Sequence, residues 1–227
     1  MARPVIEPAH AGERRLPMTY EEFQAWEDEG RHGEWVDGEV IVFMPPTDRH
    51  QALAFWLGRL LAFFADLFDL GEVRVAPLEM RARPGGPARE PDVLFVAREH
   101  LDRLTPARLV GPADLVIEVV SPDSVTRDRV DKLAEYQEAG VREYWIVDSG
   151  SGQERADFYQ LGADGKYRAV PPDADGYYRS AALPGFRLRH DWLRQNPLPK
   201  PLTLMKEIAP QALRAEVRAS EDADGKA

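Results

Sequence analysis

One ionisable residue stands where an apolar one is expected. Glu118 lies in the middle of Leu115-Val116-Ile117-Glu118-Val119-Val120, and so apolar a run reads as a strand buried on both faces. Burying an unpaired carboxylate costs several kcal/mol. Glu118 is therefore paired, metal-bound or sited at a cleft. Asp92, in Pro91-Asp92, opens the preceding core run Val93–Val96, 26 positions earlier. Two carboxylates on neighbouring core strands suit a hard divalent cation such as Mg²⁺. The plain structural alternatives are a salt bridge for Glu118 and a turn cap for Asp92. Lys132 and Tyr136 are four apart and share a helix face. That helix begins just past Glu118's strand, so a lysine on its inner face reaches back over the carboxylates. An exposed lysine paired with Asp128 is the alternative.

The composition limits what else the chain does. It has 227 residues, 44% hydrophobic and 30% charged, which is globular and long enough for a sizeable core. Cysteine is absent, which excludes disulfides, thiolate zinc, iron–sulfur clusters and a cysteine nucleophile. The net charge is −10, against a general nucleic-acid binder. The excess is local. Residues 21–50 hold nine acids and two bases, whereas residues 74–108 hold seven arginines and five acids. A local basic cleft thus stays open. No signal-peptide or membrane-spanning run stands out, so a soluble, cytoplasmic protein with no membrane partner is expected.

The elements that must position these residues follow from patterning. Thr19 and Glu22 have capping-box spacing, and Phe23 and Trp26 continue a helix. Asp37-Gly38 between apolar runs predicts a hairpin over residues 34–43. A long helix follows, capped by Thr47 or Asp48 and stopped by Gly71, with Leu53, Trp56, Leu57, Leu60, Leu61, Phe64 and Leu67 as its inner face. Residues 73–80 read as an edge or bulged strand interrupted by Pro77, and Pro84-Gly85-Gly86-Pro87 as a turn. Three core strands come next, over residues 93–96, 115–120 and 144–147. A helix over about residues 126–139, ended by Gly140, crosses between the last two, so they should be parallel. Residues 157–170 suggest a hairpin. Beyond about residue 190 the composition predicts a short helix with a loose end. The domain is placed at residues 17–195, between an extension of residues 1–16 and a tail of residues 196–227.

Pro-Asp at a strand start, a strand-borne Glu and a nearby Lys together resemble the PD-(D/E)XK nuclease superfamily. Within it, the chain is similar to the Uma-two family of restriction-type endonucleases over about residues 17–190. The matching segments are Met18–Phe23, Gly33–Val40, His50, Glu90–Val93, Pro112–Pro122, Asp128–Tyr136 and Glu143–Asp148. One departure is that Val120, not lysine, stands two residues after Glu118; Lys132 is the position that looks like the relocated lysine. The resemblance implies a restriction-endonuclease-like α/β core, with a mixed central sheet flanked by helices and an N-terminal helix plus hairpin. It also implies Mg²⁺-dependent hydrolysis of DNA phosphodiesters, with Mn²⁺ as a substitute. Asp92, Glu118 and the carbonyl of Val119 would hold the metal, and Lys132 would orient the attacking water. Glu34 becomes a further catalytic carboxylate, with His50 and Tyr136 as additional site residues. A homodimer is expected because two symmetric sites cut both strands of a duplex, with Tyr177, Tyr178 and Phe186 as interface or core. Arg89, Arg127 and Arg129 are candidate backbone contacts. The competing reading is a non-catalytic binding module on the same fold, which the acidic net charge favours.

Overall fold

The computed structural model describes residues 14–27, 33–42, 45–120, 127–150 and 155–224. The elements run β1 (Arg14–Pro17), α1 (Tyr20–Glu27), β2 (Glu34–Val36), β3 (Glu39–Val42), α2 (Asp48–Phe68), β4 (Gly71–Val75), β5 (Glu79–Arg81), β6 (Val93–Ala97), β7 (Arg108–Val110) and β8 (Leu115–Val120). They continue with α3 (Lys132–Ala139), β9 (Glu143–Asp148), β10 (Ala156–Leu161), β11 (Tyr167–Ala169), β12 (Tyr177–Arg179), β13 (Arg187–Arg189), α4 (His190–Leu193), α5 (Pro201–Ile208) and α6 (Pro210–Asp224).

Local chemistry accounts for the first elements. Thr19 and Glu22 form the reciprocal capping box, with the Glu22 N–H on Thr19 Oγ1 at 3.2 Å and the Thr19 N–H on Glu22 Oε2 at 2.9 Å. Asp37 and Gly38 turn the β2–β3 hairpin with φ of 48° and 88°, the left-handed pair that a tight primed turn requires. Thr47 caps α2, its hydroxyl accepting the His50 N–H. The helix ends earlier than the sequence suggests. Asp69 takes the left-handed C-cap (φ 54°), and Gly71 already starts β4.

A six-stranded mixed sheet in the order β11-β10-β9-β8-β6-β4 forms the centre. β8 and β9 are parallel, joined by the crossover through α3, and the other neighbours are antiparallel. Alternation along β8 divides the core. Leu115, Ile117 and Val119 pack towards α2 in one cluster. Val116 and Val120 face the other way, with Tyr136 and Tyr144. α2 is long and apolar enough by composition to cross a membrane, yet its inner face, Leu53, Leu57, Leu60, Leu61 and Phe64, is buried in the first cluster.

The C-terminal segment departs from the loose end expected. α5 follows Pro201 at its first turn and seats Leu204 and Met205, with Ala209 just beyond, in the α2 cluster. Amphipathic spacing, not the Pro-, Ala- and Glu-rich composition, decides its fate. Tyr177, Tyr178 and Phe186 also belong to this core, so they are not available as an interface. Glu143 ties the C-terminal hairpin region to β9. Fully buried, it accepts from Trp145 Nε1, Tyr178 Oη, Ser180 Oγ and the N–H groups of Ala181 and Ala182, at 2.6–2.9 Å. Glu143→Leu strands these donors and is expected to cost about 3 kcal/mol or more, read as a lower urea midpoint with an unchanged m-value.

Candidate active site

The β6–β8 register pairs Val93 with Ile117. Extended by one residue, it sets Asp92 opposite Glu118, on the α3 face of the sheet. β6 begins only at Val93 and its ladder with β8 ends at the Val93–Ile117 pair, so Val119 lies beyond it, and Asp92 Oδ2 accepts the Val119 N–H at 2.7 Å. Asp92 thus closes the end of the strand pair with its own side chain.

Lys132 comes from the first turn of α3. Its approach is set by a wide π-type turn over Arg127–Asp131, whose Asp128 carbonyl is held by the Tyr144 hydroxyl at 2.9 Å. A widened turn frees carbonyls and re-aims the following side chains. The Lys132 ammonium is buried, 2.8 Å from both Glu118 Oε1 and Glu34 Oε1 and 3.5 Å from Asp128 Oδ1. It does not lie on the surface with Asp128 as sole partner. Tyr136, one turn further on, donates to the same Glu118 Oε1 at 2.8 Å.

Glu34, at the start of β2, is carried into this cluster by the small three-stranded sheet. Its Oε2 takes Arg89 Nη1 at 2.8 Å, and its Oε1 also accepts the Glu90 N–H at 3.3 Å. Arg89 in turn forks onto Glu135 at 2.6 and 2.8 Å. Buried between two carboxylates, it is a structural cation, not a backbone-contacting arginine. Arg129 pairs with Asp157. The side chain of Arg127 lies outside the described residues. His50, in the first turn of α2, places Nε2 3.3 Å from Asp92 Oδ2.

Asp92, Glu118, Lys132, Glu34, Tyr136 and His50 therefore converge. Patterning did not single out Arg89 with Glu135 as a buried pair, Asp128 as a member of the cluster, or Glu90 at its edge. Glu90 had a signal in its place directly before Pro91-Asp92, and Asp128 one in its spacing four residues before Lys132.

The electrostatics are dominated by excess carboxylate. Burial pushes the Glu118 carboxyl up to about 8. Lys132 opposes this, while Asp92, Asp128 and Glu34 add to it. Burial and Glu34 likewise raise Glu90 to about 7. Burial would lower the Lys132 ammonium, but Glu118, Glu34 and Asp128 outweigh it and hold the group charged far above the working range. Burial also opposes protonation of His50, whereas Asp92, the Val119 carbonyl and Asp128 raise its pKa overall.

The donor set suits Mg²⁺. No described residue bonds Glu118 Oε2 or Asp92 Oδ1, and the fixed cations Lys132 and Arg89 leave carboxylate charge uncompensated. Among the described residues, no three ligating side chains of His, Cys, Asp or Glu surround one point. A cation here would take two carboxylates, the Val119 carbonyl and waters, as Mg²⁺ commonly does. His50 addresses that same carboxylate and carbonyl.

A mixed sheet flanked by helices, with paired carboxylates at a strand end and a lysine on the crossover helix, defines a nuclease-like α/β domain. The Uma2 family model, described as "Putative restriction endonuclease", matches residues 20–191, and the chain belongs to that family. Among solved structures, it is similar to a protein from Anabaena variabilis described as "a putative nuclease belonging to DUF820". The match has a TM-score of 0.60 at 15% identity and covers 78% of this chain and 97% of that one. This likeness establishes the fold. No curated protein matches the sequence.

Proposed function

We propose that the protein is a metal-dependent endonuclease of the PD-(D/E)XK type, hydrolysing DNA phosphodiester bonds with Mg²⁺ or Mn²⁺. One observation carries the reading: Lys132 is bonded at 2.8 Å to Glu118, on the sheet face where Glu118 opposes Asp92. A metal held by Asp92, Glu118 and the Val119 carbonyl would polarise a phosphate oxygen and lower the pKa of a bound water.

The chain's own groups supply the rest. Lys132 has three N–H donors. Glu34 and Glu118 take two at 2.8 Å, and Asp128 is the loosest partner at 3.5 Å. The third N–H is the one free to turn towards a substrate oxygen or the attacking water, where it orients the water and offsets charge gathering on the phosphate. Tyr136 and Lys132 both hold Glu118 Oε1, which leaves Oε2 without a partner among the described residues. Arg89 fixes Glu34 and so fixes the lysine. The burial of Lys132 between two carboxylates favours a second reading, a structural ion-pair hub in a non-catalytic binding module.

Cleavage separates the two. Wild-type protein is expected to nick supercoiled plasmid or cut single-stranded DNA in Mg²⁺ and Mn²⁺ but not in EDTA. A folded protein that binds DNA and cuts neither substrate in any metal would support the binding module.

The raised carboxyl predicts a pH dependence. Glu118 sits near 8 against an ordinary 4.5, so the folded chain holds an extra proton between those values. The stability carried by that proton is full below about pH 4.5 and is lost as the pH rises through about 8. Metal binding requires the ionised form. The apparent Mg²⁺ affinity should therefore rise up to roughly tenfold per pH unit below 8 and then level off. Calorimetric titrations from pH 6 to 9, in buffers of differing ionisation enthalpy, would show the released proton.

A further inference from the structure

β4 is the edge strand of the central sheet. The Arg98 N–H donates to the Leu70 carbonyl at 2.8 Å and the Ala76 N–H to the Asp92 carbonyl at 3.1 Å. In the β4–β6 register, residues 70, 72, 74 and 76 therefore face β6. The N–H and C=O groups of Gly71, Val73 and Val75 point away from the sheet, and no described strand takes them.

Two charges flank the central residue of this free edge. Glu72 and Arg74, side chains 51% and 44% exposed, lie 2.8 Å apart. Arg74 also caps the Val73 carbonyl at 2.9 Å. Edge strands are usually guarded by like charges that repel a second copy. Here one acid and one base are placed symmetrically about Val73, which makes the strand complementary to itself in the antiparallel sense.

We propose that two copies of this chain dimerise by antiparallel pairing of their β4 edges about Val73, giving one continuous twelve-stranded sheet. This register lays Glu72 of each copy against Arg74 of the other. It also sets the exposed Val75 over the other copy's Gly71, which has no side chain. The same register brings the outward groups of residues 71, 73 and 75 into hydrogen-bonded pairs. Moving the axis to residue 72 or 74 would instead oppose like charges, a destabilising arrangement across strands. The Val73 carbonyl exchanges its arginine cap for the N–H of the other copy. The two-fold axis is normal to the sheet, so both Glu118 clusters face the same side. Strand spacing and rise set the two Asp92 residues about 25 Å apart. The proposal stands apart from the catalytic reading, because its test reads mass and not cleavage.

Sedimentation velocity on the full chain is the experiment. The wild type should sediment as a dimer at micromolar concentration. Arg74→Glu and Glu72→Arg each create two like-charge pairs, and each should raise the dimer dissociation constant roughly tenfold or more. An equimolar mixture of the two variants should recover a dimer, because the first then presents two acids at the register positions where the second presents two bases. That recovery also requires both variants to be folded. Val73→Pro removes one outward N–H without touching the β6 ladder and should weaken the dimer as well. A monomeric wild type, a dimer indifferent to all three substitutions, or variants whose mixture stays monomeric would each overturn the proposal.

Discussion

Glu118→Gln should abolish metal-dependent cleavage, with a loss of at least about a thousandfold, while leaving the protein folded. Glutamine keeps the size of the side chain and retains an oxygen for Lys132 Nζ and Tyr136 Oη, which both converge on Oε1. What it removes is the negative charge that a cation requires. The fold has little reason to resist the change, because burial already raises this carboxyl to about 8 and a neutral side chain is tolerated there near pH 7. Circular dichroism and the urea midpoint should stay close to wild type. A variant that retained its cleavage rate would remove Glu118 from the chemistry, and one that failed to fold would make it a structural residue.

Lys132→Met should cost about 3 kcal/mol of stability near neutral pH. The substitution deletes the cation lying 2.8 Å from Glu34 and Glu118, and breaking one partner out of a buried ion pair typically costs about 3–5 kcal/mol. Part of that cost is avoided because Glu118, raised to about 8, is largely protonated near neutral pH, and Arg89 remains on Glu34. The relief depends on pH. Near pH 6 Glu118 is readily neutral and the penalty should shrink. Near pH 8.5 two buried carboxylates face each other without the lysine, and the penalty should grow. Urea titrations of wild type and variant at both pH values measure this difference. A penalty that is small and independent of pH would show that Lys132 is not the charge on which the cluster depends. Cleavage should be lost as well, and Lys132→Arg should not restore it, because a planar fork does not reproduce a compact ammonium bonded to two carboxylates with its third N–H left for the substrate.

The legible part of this site was the part that violates local expectation. Glu118 declares itself because a charge interrupts Leu115–Val120, and Lys132 with Tyr136 because helical spacing places them on one face. The strands and the parallel crossover follow from apolar runs separated by a helix-length segment. What was not legible depends on contacts distant in sequence. Arg89 looks like any surface arginine until the β2–β3 hairpin brings Glu34 to it, 55 positions away. Asp128 reads as a surface partner of Lys132 four residues on, and only the wide turn and the Tyr144 bond turn it inward. β1 and the β12–β13 hairpin are short strands without a sustained period, formed because neighbours supply the ladder. Tyr177, Tyr178 and Phe186 gave no sign of whether they pack inside or out, and the Glu143 cluster and the α2 core settle that inward.

Whether Asp92 and Glu118 together hold a divalent cation beside Lys132 is decided by Mg²⁺ titration of wild type, Asp92→Asn and Glu118→Gln by calorimetry near pH 8, with cleavage measured on the same preparations. One site per chain is expected in the wild type, with an affinity at least roughly tenfold weaker in each variant and cleavage lost in parallel. Equal Mg²⁺ binding in all three folded proteins, or cleavage that persists in either variant, would contradict it.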